Sequence, residues 1–381
     1  MAQIENIEWL SGFVHGLGEF AVKQGRKRLY GLINTAGEIV LEPQPKMLHI
    51  RDEKQVMLFR DKRLKGDKDI VLNLETRETY YAERYYAEKY GSAITWQKGR
   101  GYGTVDADGN TVIPNKYRSL CSCGSSLFIA CNRKNKYGIL DYSGNEIYNF
   151  CYDEIAFYYN LPLSDRIAVR TGAYWFIADR TGKRLSRHQY ELLQPVMPNG
   201  YAIFGEIRDG DMYYGLLDAA KDQIAIQAGY TDLRWVDGYE GWTRLAARKL
   251  GSYIKREEVL TLSGDYVLPQ VYGGIWDYYD KNYIVESCTG GIYPDESFCG
   301  VIDENGDTIL PFEFSLISRY DDVYKVSRSD TQLYGLYSLT GETILPCEYS
   351  YIDIGDTLDN IAVCKDCEMY YINSRGERVL L

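Results

Sequence analysis

Residues Tyr30-Gly31-Leu32-Ile33-Asn34-Thr35-Ala36-Gly37-Glu38-Ile39-Val40 return in altered form along the whole chain. Internal repetition restricts a fold more than any other sequence property, because each copy must form one unit that packs on its neighbours. Tyr102-Gly103-Thr104-Val105-Asp106-Ala107-Asp108-Gly109 is one copy, followed by Pro114 and Tyr117. Tyr137-Gly138-Ile139-Leu140-Asp141 runs to Gly144 and Tyr152, and Trp175-Phe176-Ile177-Ala178-Asp179 to Gly182 and Tyr190. Tyr214-Gly215-Leu216-Leu217-Asp218 continues to Tyr230. Cys299-Gly300-Val301-Ile302-Asp303 reaches Gly306, Pro311 and Phe314, and Tyr334-Gly335-Leu336-Tyr337-Ser338 reaches Gly341, Pro346 and Tyr349. Weaker copies begin at Ile70, Val259 and Tyr371. Ten copies result, with a mean spacing of about 38 residues between Gly37 and Gly376.

Each period holds four short apolar stretches, as in Val301-Ile302-Asp303, Thr308-Ile309-Leu310, Phe314-Ser315-Leu316-Ile317 and Val323-Tyr324-Lys325-Val326. They are too short for helices and rich in β-branched and aromatic residues, which predicts strands. The Asp-x-x-Gly link is hairpin chemistry: the carboxylate accepts backbone amides, and glycine supplies φ > 0. The glycines at 37, 109, 144, 182, 306, 341 and 376 are therefore expected at positive φ. Proline after the second stretch is expected to end ladder pairing there. The glycine of Tyr-Gly lies inside a strand, and an aromatic ring is expected in the space it leaves. Adjacent apolar pairs such as Leu32-Ile33 predict strands covered on both faces.

The fold class expected is all-β: ten tandem antiparallel meanders in a single array over 1–381, with 1–29 and 370–381 as half units. The alternatives are a propeller-like ring, two smaller rings or an open β-superhelix. The repeated residues resemble the WG-repeat family, a bacterial β-repeat with the pattern Trp-Gly-x-Ile-Asp-x-x-Gly-x-x-x-x-Pro-x-x-Tyr. Here Tyr replaces Trp in most copies, Phe176 stands at a glycine position, and Asn149 and Arg187 stand where proline is usual. The resemblance covers essentially the whole chain. It implies an interaction scaffold whose repeat residues are structural, so no catalytic residue carries over from it.

Charge narrows the partners. A formal net charge of −11 and a pI near 5.0 argue against nucleic acid or an anionic membrane. The N-terminus lacks the basic and apolar regions of a signal peptide, and no apolar run reaches the length of a membrane span. Nine irregularly spread cysteines do not form a disulfide framework, so a cytoplasmic, reduced protein is expected.

Reactive side chains are scattered. His15, His49 and His188 lie in different units, outside any shared motif. Asp106, Asp141, Asp179, Asp218 and Asp303 recur at one turn position and read as caps rather than a facing pair. Asp106-Ala107-Asp108-Gly109-Asn110 lacks the distal glutamate of a calcium loop. Cys364 and Cys367 have knuckle spacing, but Cys121 and Cys123 lie seven units away, and buried apolar cysteine is the better account of Cys364. No cofactor or metal is expected.

Tyrosine is abundant, with 36 residues. Beyond the repeat positions, aromatic residues gather after the third stretch, and the candidate ligand-binding residues are Tyr158, Tyr159, Trp235, Trp276, Tyr278 and Tyr279. Equivalent repeat positions are expected to emerge along one side at similar depth, beside the acidic Asp153, Glu154, Asp232 and Asp277. The function expected is a non-enzymatic binding scaffold for a protein, peptide or glycan. The alternative is a hydrolase or lyase with its site in a central or concave groove.

Overall fold

A computed structural model describes residues 7–51, 53–59, 69–77, 79–82, 86–87, 93–97, 100–105, 111–123, 127–158, 161, 163–236, 241–249, 256–268, 272–287 and 297–379. The described residues form antiparallel strands and connecting turns, with no helix among them. The chain divides into two compact units, one of Met1–Tyr85 with Glu313–Leu381 and one of Tyr86–Phe312. The division falls within the strand Thr308–Tyr320.

The repeat produces one sheet plan. In the Tyr86–Phe312 unit, Ser119–Ser122, Leu127–Cys131, Tyr137–Asp141 and Glu146–Tyr152 lie side by side in chain order as an antiparallel meander. These are the third and fourth stretches of one copy followed by the first and second of the next. The link after Asp141 behaves as its chemistry requires: Asp141 Oδ1 accepts the Asn145 amide at 2.8 Å, and Gly144 has φ 86°. Gly37, Gly182, Gly306, Gly341 and Gly376 also have positive φ, and Gly109 lies outside the described residues.

The proline expectation needs correction. Pro114 and Pro346 lie inside the continuous strands Thr111–Tyr117 and Thr343–Tyr349, so the second strand runs on past proline. A register shift accommodates it: Tyr334 pairs with Tyr349 and Leu336 with Leu345, so the longer strand bulges across from Gly335, and the same shift recurs across from Gly138, where Asn149 stands at the proline position. The ladder thus does without an amide near the proline position. It also brings backbone against the glycine. A Cβ on Gly138 would lie 2.7 Å from Tyr148 O and 3.0 Å from the Phe150 ring. At Gly215, the space is filled by the Phe204 ring at 2.7 Å. Tyr-Gly is therefore a close-approach position, and an aromatic ring does occupy the space at both glycines.

Adjacent apolar residues serve opposite faces. In the Met1–Tyr85 and Glu313–Leu381 unit, Leu32 packs with Leu17, Leu48, Val56 and Leu72, whereas Ile33 packs with Leu10, Phe13, Phe20 and Tyr371. Ile139 and Leu140 divide in the same way in the other unit. Each such strand is sandwiched between two cores, and each buried Leu or Ile contributes roughly 1.5–3 kcal/mol by leaving water.

Within the first unit the two ends of the chain meet. Ile7–Leu10, Leu17–Gln24, Lys27–Asn34 and Ile39–Gln44 form a four-stranded sheet, as do Tyr351–Asp353, Ile361–Lys365, Glu368–Ile372 and Arg378–Val379. Counted from the third stretch, each end carries a whole sheet, and the two pack on one another without sharing strands. Gly12 N donates to Asp353 Oδ2 at 2.8 Å, Asp356 N to Phe13 O at 2.6 Å, and Trp9 Nε1 to the Tyr351 hydroxyl at 3.2 Å.

Candidate binding site

The aromatic residues singled out above belong to the Tyr86–Phe312 unit, and they do not emerge at equal depth. Trp276 is 60% exposed, Tyr158 is 39% exposed, Trp235 and Tyr279 are half-buried, and Tyr278 is buried. Tyr159 lies outside the described residues. Tyr278 is thus removed from any ligand-facing surface. Its hydroxyl donates to Glu304 Oε1 at 2.7 Å, and its ring lies 4.5 Å from that of Tyr283.

A bulge accounts for the difference. Along Gly274–Tyr279, Ile275 pairs with Val285 and Asp277 with Ile284, so Trp276 has no residue opposite and is turned outward. The extra residue shifts the alternation: Ile275 and Tyr278 both face the core, three positions apart, where an unbroken strand would place residues of opposite phase.

Trp235 ends the strand Gln223–Trp235 and meets Trp242 edge to face, with centroids 6.1 Å apart. Trp242 has φ 61°, a left-handed conformation unusual for a bulky side chain, and follows Gly241 at φ 92°. The Trp235 indole N–H has no hydrogen-bond partner among the described residues. Tyr158 contacts Gln194 Oε1 through its hydroxyl at 3.4 Å, and burial raises its phenol pKa.

A charge network holds these strands. The buried Glu257 carboxylate accepts Arg234 Nη2 at 2.5 Å, Arg248 Nη2 at 3.0 Å and the Ile275 amide at 2.9 Å. Arg234 Nη2 also donates to Ile275 O at 2.6 Å. Glu257 therefore ties the strand ending at Trp235 and the strand Leu245–Lys249 to the residue preceding Trp276. Charge-assisted bonds in such surroundings fix geometry strongly. Arg244 does similar work nearby, donating to Glu304 Oε1 at 3.1 Å and to the Tyr283 hydroxyl at 3.3 Å.

Acidic neighbours of the rings are mostly matched by cations of the same chain. Asp153 pairs with Lys136, Glu154 with Arg170 at 3.1 Å, and Asp232 with Arg248 at 3.8 Å. Lys136 and the Gly172 amide hold Asp153 below the usual carboxylate range. The surface at the rings is consequently less acidic in its field than the carboxylates alone suggest.

Other reactive side chains stay apart. Asp141, Asp179 and Asp303 each accept amides of their own turn, and the amide of Asp307 leads those that lower the Asp303 pKa. Asp106 lies outside the described residues. His15, His49 and His188 are exposed. Cys364 is half-buried rather than buried, and Cys367 is exposed in the turn that follows. Among the described residues no disulfide is present, and no three His, Cys, Asp or Glu side chains converge as metal ligands would.

The arginine–glutamate network was not legible in the sequence, since its members belong to no motif. The repeating turn and Tyr-Gly geometry was, and the WG containing repeat model matches residues 30–44 and 300–324. Both segments are WG containing repeats. In these WG repeats the matched residues include Tyr30-Gly31 and Gly300, at the close approach described above, and the turn glycines Gly37 and Gly306. No curated protein sequence matches the chain. Among solved structures, the chain is similar to BamB from Moraxella catarrhalis, at 11% identity and TM-score 0.34, over 74% of this chain and 93% of that one. It is also similar to the Dos1 propeller, at 12% identity and TM-score 0.33, over 86% of this chain and 90% of that one. A third similarity, to the tricorn protease, has 11% identity and TM-score 0.32, over 86% of this chain and 42% of that one.

Proposed function

We propose that this chain is a non-enzymatic binding scaffold that presents aromatic side chains to a protein, peptide or glycan. The observation that carries the proposal is Trp276, a large ring turned outward by a bulge while the backbone beside it is held by Glu257 and Arg234. A rigid amphipathic ring on a fixed strand loses little entropy when a ligand covers it, which is the property of a binding anchor. Trp235, half-buried beside Trp242, supports the same reading on a second strand.

The alternative, a hydrolase or lyase, calls for two carboxylates with separated pKa values. Among the described residues Glu19 in the first unit comes nearest to such a group: burial first, opposed by the Ile50 amide and then reinforced by the Asp353 charge, pushes it up to about 7. Yet Glu19 accepts the Ile50 amide at 3.2 Å and Asp353 the Gly12 amide at 2.8 Å. Carboxylates engaged by backbone in this way favour a role in joining strands.

Peptide and glycan arrays probed with the labelled chain test the proposal. Discrete features should be retained, and Trp276→Ala should weaken them about tenfold, as expected for loss of a binding anchor. Tyr278→Phe should leave them unchanged. Cleavage of the retained features, or binding indifferent to Trp276→Ala, would contradict the proposal.

A further inference from the structure

One turn in the Tyr86–Phe312 unit departs from the repeat. The usual link lets Oδ1 accept the amides two and four residues on, as Asp179 does from Thr181 at 2.8 Å and Lys183 at 3.0 Å. After Asp218 the link is one residue longer, since Asp218 pairs with Gln223, and the residue at positive φ is Asp222 rather than glycine. Asp218 Oδ1 accepts the Lys221 amide at 3.0 Å, and Oδ2 accepts Lys221 Nζ at 2.7 Å. A departure from an otherwise regular local rule is where a functional feature is expected.

The altered turn forms one wall of a cleft of about 570 Å³. The turn after Thr261 also lines it; there Thr261 Oγ1 and Ser263 Oγ lie 2.8 Å apart and Ser263 Oγ donates to Asp265 Oδ2 at 2.6 Å. Thr243 and Arg244 line it as well, directly after the left-handed Trp242, and Ile224 and Leu262 supply apolar surface. This volume lies within the range of small-ligand sites.

We propose that this cleft binds a neutral saccharide chain. Its charges are matched internally: Lys221 with Asp218, and Arg244 with Glu304 at 3.1 Å. An anionic ligand would have to compete with carboxylates already in place, which disfavours it. Beside them the lining carries the Tyr201 hydroxyl and the Gln223 amide, with the Thr261 and Ser263 oxygens as acceptors, around the exposed face of Ile224. Groups that both donate and accept suit sugar hydroxyls, and the apolar patch suits the C–H face of a pyranose ring. The inference rests on the reading of the chain as a binding scaffold but uses a site separate from Trp276.

Calorimetric titration of the full chain with maltohexaose, cellohexaose and mannohexaose tests it, at low and at high salt. At least one should bind, with a Kd that changes less than about twofold with salt because no ion pair forms. Gln223→Ala, at an exposed position, and Tyr201→Phe should each weaken that binding about fivefold to tenfold. Trp276→Ala should leave it unchanged. No binding at millimolar concentrations, binding lost at high salt, or binding indifferent to both cleft variants would overturn the proposal. If Trp276-dependent array binding persists while the cleft stays inert, the scaffold reading stands and the saccharide inference alone fails.

Discussion

Phe13 and Tyr371, from opposite ends of the chain, lie with ring centroids 4.9 Å apart, and the Tyr371 hydroxyl donates to Ser11 O at 2.8 Å. Within the first unit this contact makes the N-terminal sheet depend on the C-terminal one. Tyr371→Ala should lower unfolding free energy by about 3–5 kcal/mol through the cavity it leaves. Tyr371→Phe should cost only about 1 kcal/mol, the net worth of one hydrogen bond. Urea unfolding of the two variants checks both figures, and equal losses would show that the ring contact contributes nothing.

Glu19 sits close to the same seam. Its ordinary value is 4.5, and burial is the main cause that raises it to about 7. The folded chain therefore retains a proton that the unfolded chain releases. Stability from this group is full below about pH 4.5, falls as pH rises towards about 7, and is level above that. The fall amounts to roughly 3 kcal/mol. Thermal unfolding across this range should show Glu19→Gln with a flatter pH profile than the parent chain; parallel profiles would remove Glu19 as the cause.

Glu257 gives a sharper test of the network beneath the rings. Glu257→Ala leaves Arg234 and Arg248 without their shared partner, and should destabilise by about 3–5 kcal/mol. Because Trp235 and Trp276 are positioned by these strands, tryptophan emission should change as well. Unchanged stability and emission would mean that the network does not position the rings.

The glycine of Tyr-Gly can be separated from the glycine of the turn. Gly138→Ala should cost about 1–3 kcal/mol through overpacking, because its Cβ would meet Tyr148 O at 2.7 Å. Gly144→Ala should cost roughly 1–2 kcal/mol for a different reason, the left-handed backbone at φ 86°. Replacing Phe150 by Ala should relieve part of the first cost and none of the second, as a double-mutant cycle would measure.

These local rules were legible because each rests on residues close in sequence. Asp141, Gly144 and Asn145 make their turn alone, and Leu32 and Ile33 face opposite cores because strand geometry alternates. The aromatic row was misread for a local reason of another kind. A single bulged residue, Trp276, reversed the phase, so that Tyr278 turned inward. No residue type announces such a bulge. Arg234, Arg248 and Glu257 meet only through pairing of separate strands, so no spacing marks them. The cleft did leave a trace: the copy at Tyr214 lacks the turn glycine that its neighbours carry, and Asp222 takes the left-handed position instead.

The claim that Trp276 is the exposed binding anchor can be read at the residue itself. The chain has six tryptophans, which fluorine labelling would report as separate resonances, with Trp276 identified by Trp276→Phe. On addition of a ligand retained on the arrays, the Trp276 resonance should shift or broaden more than any other. A Trp276 resonance that stays unmoved at saturating ligand would contradict the account.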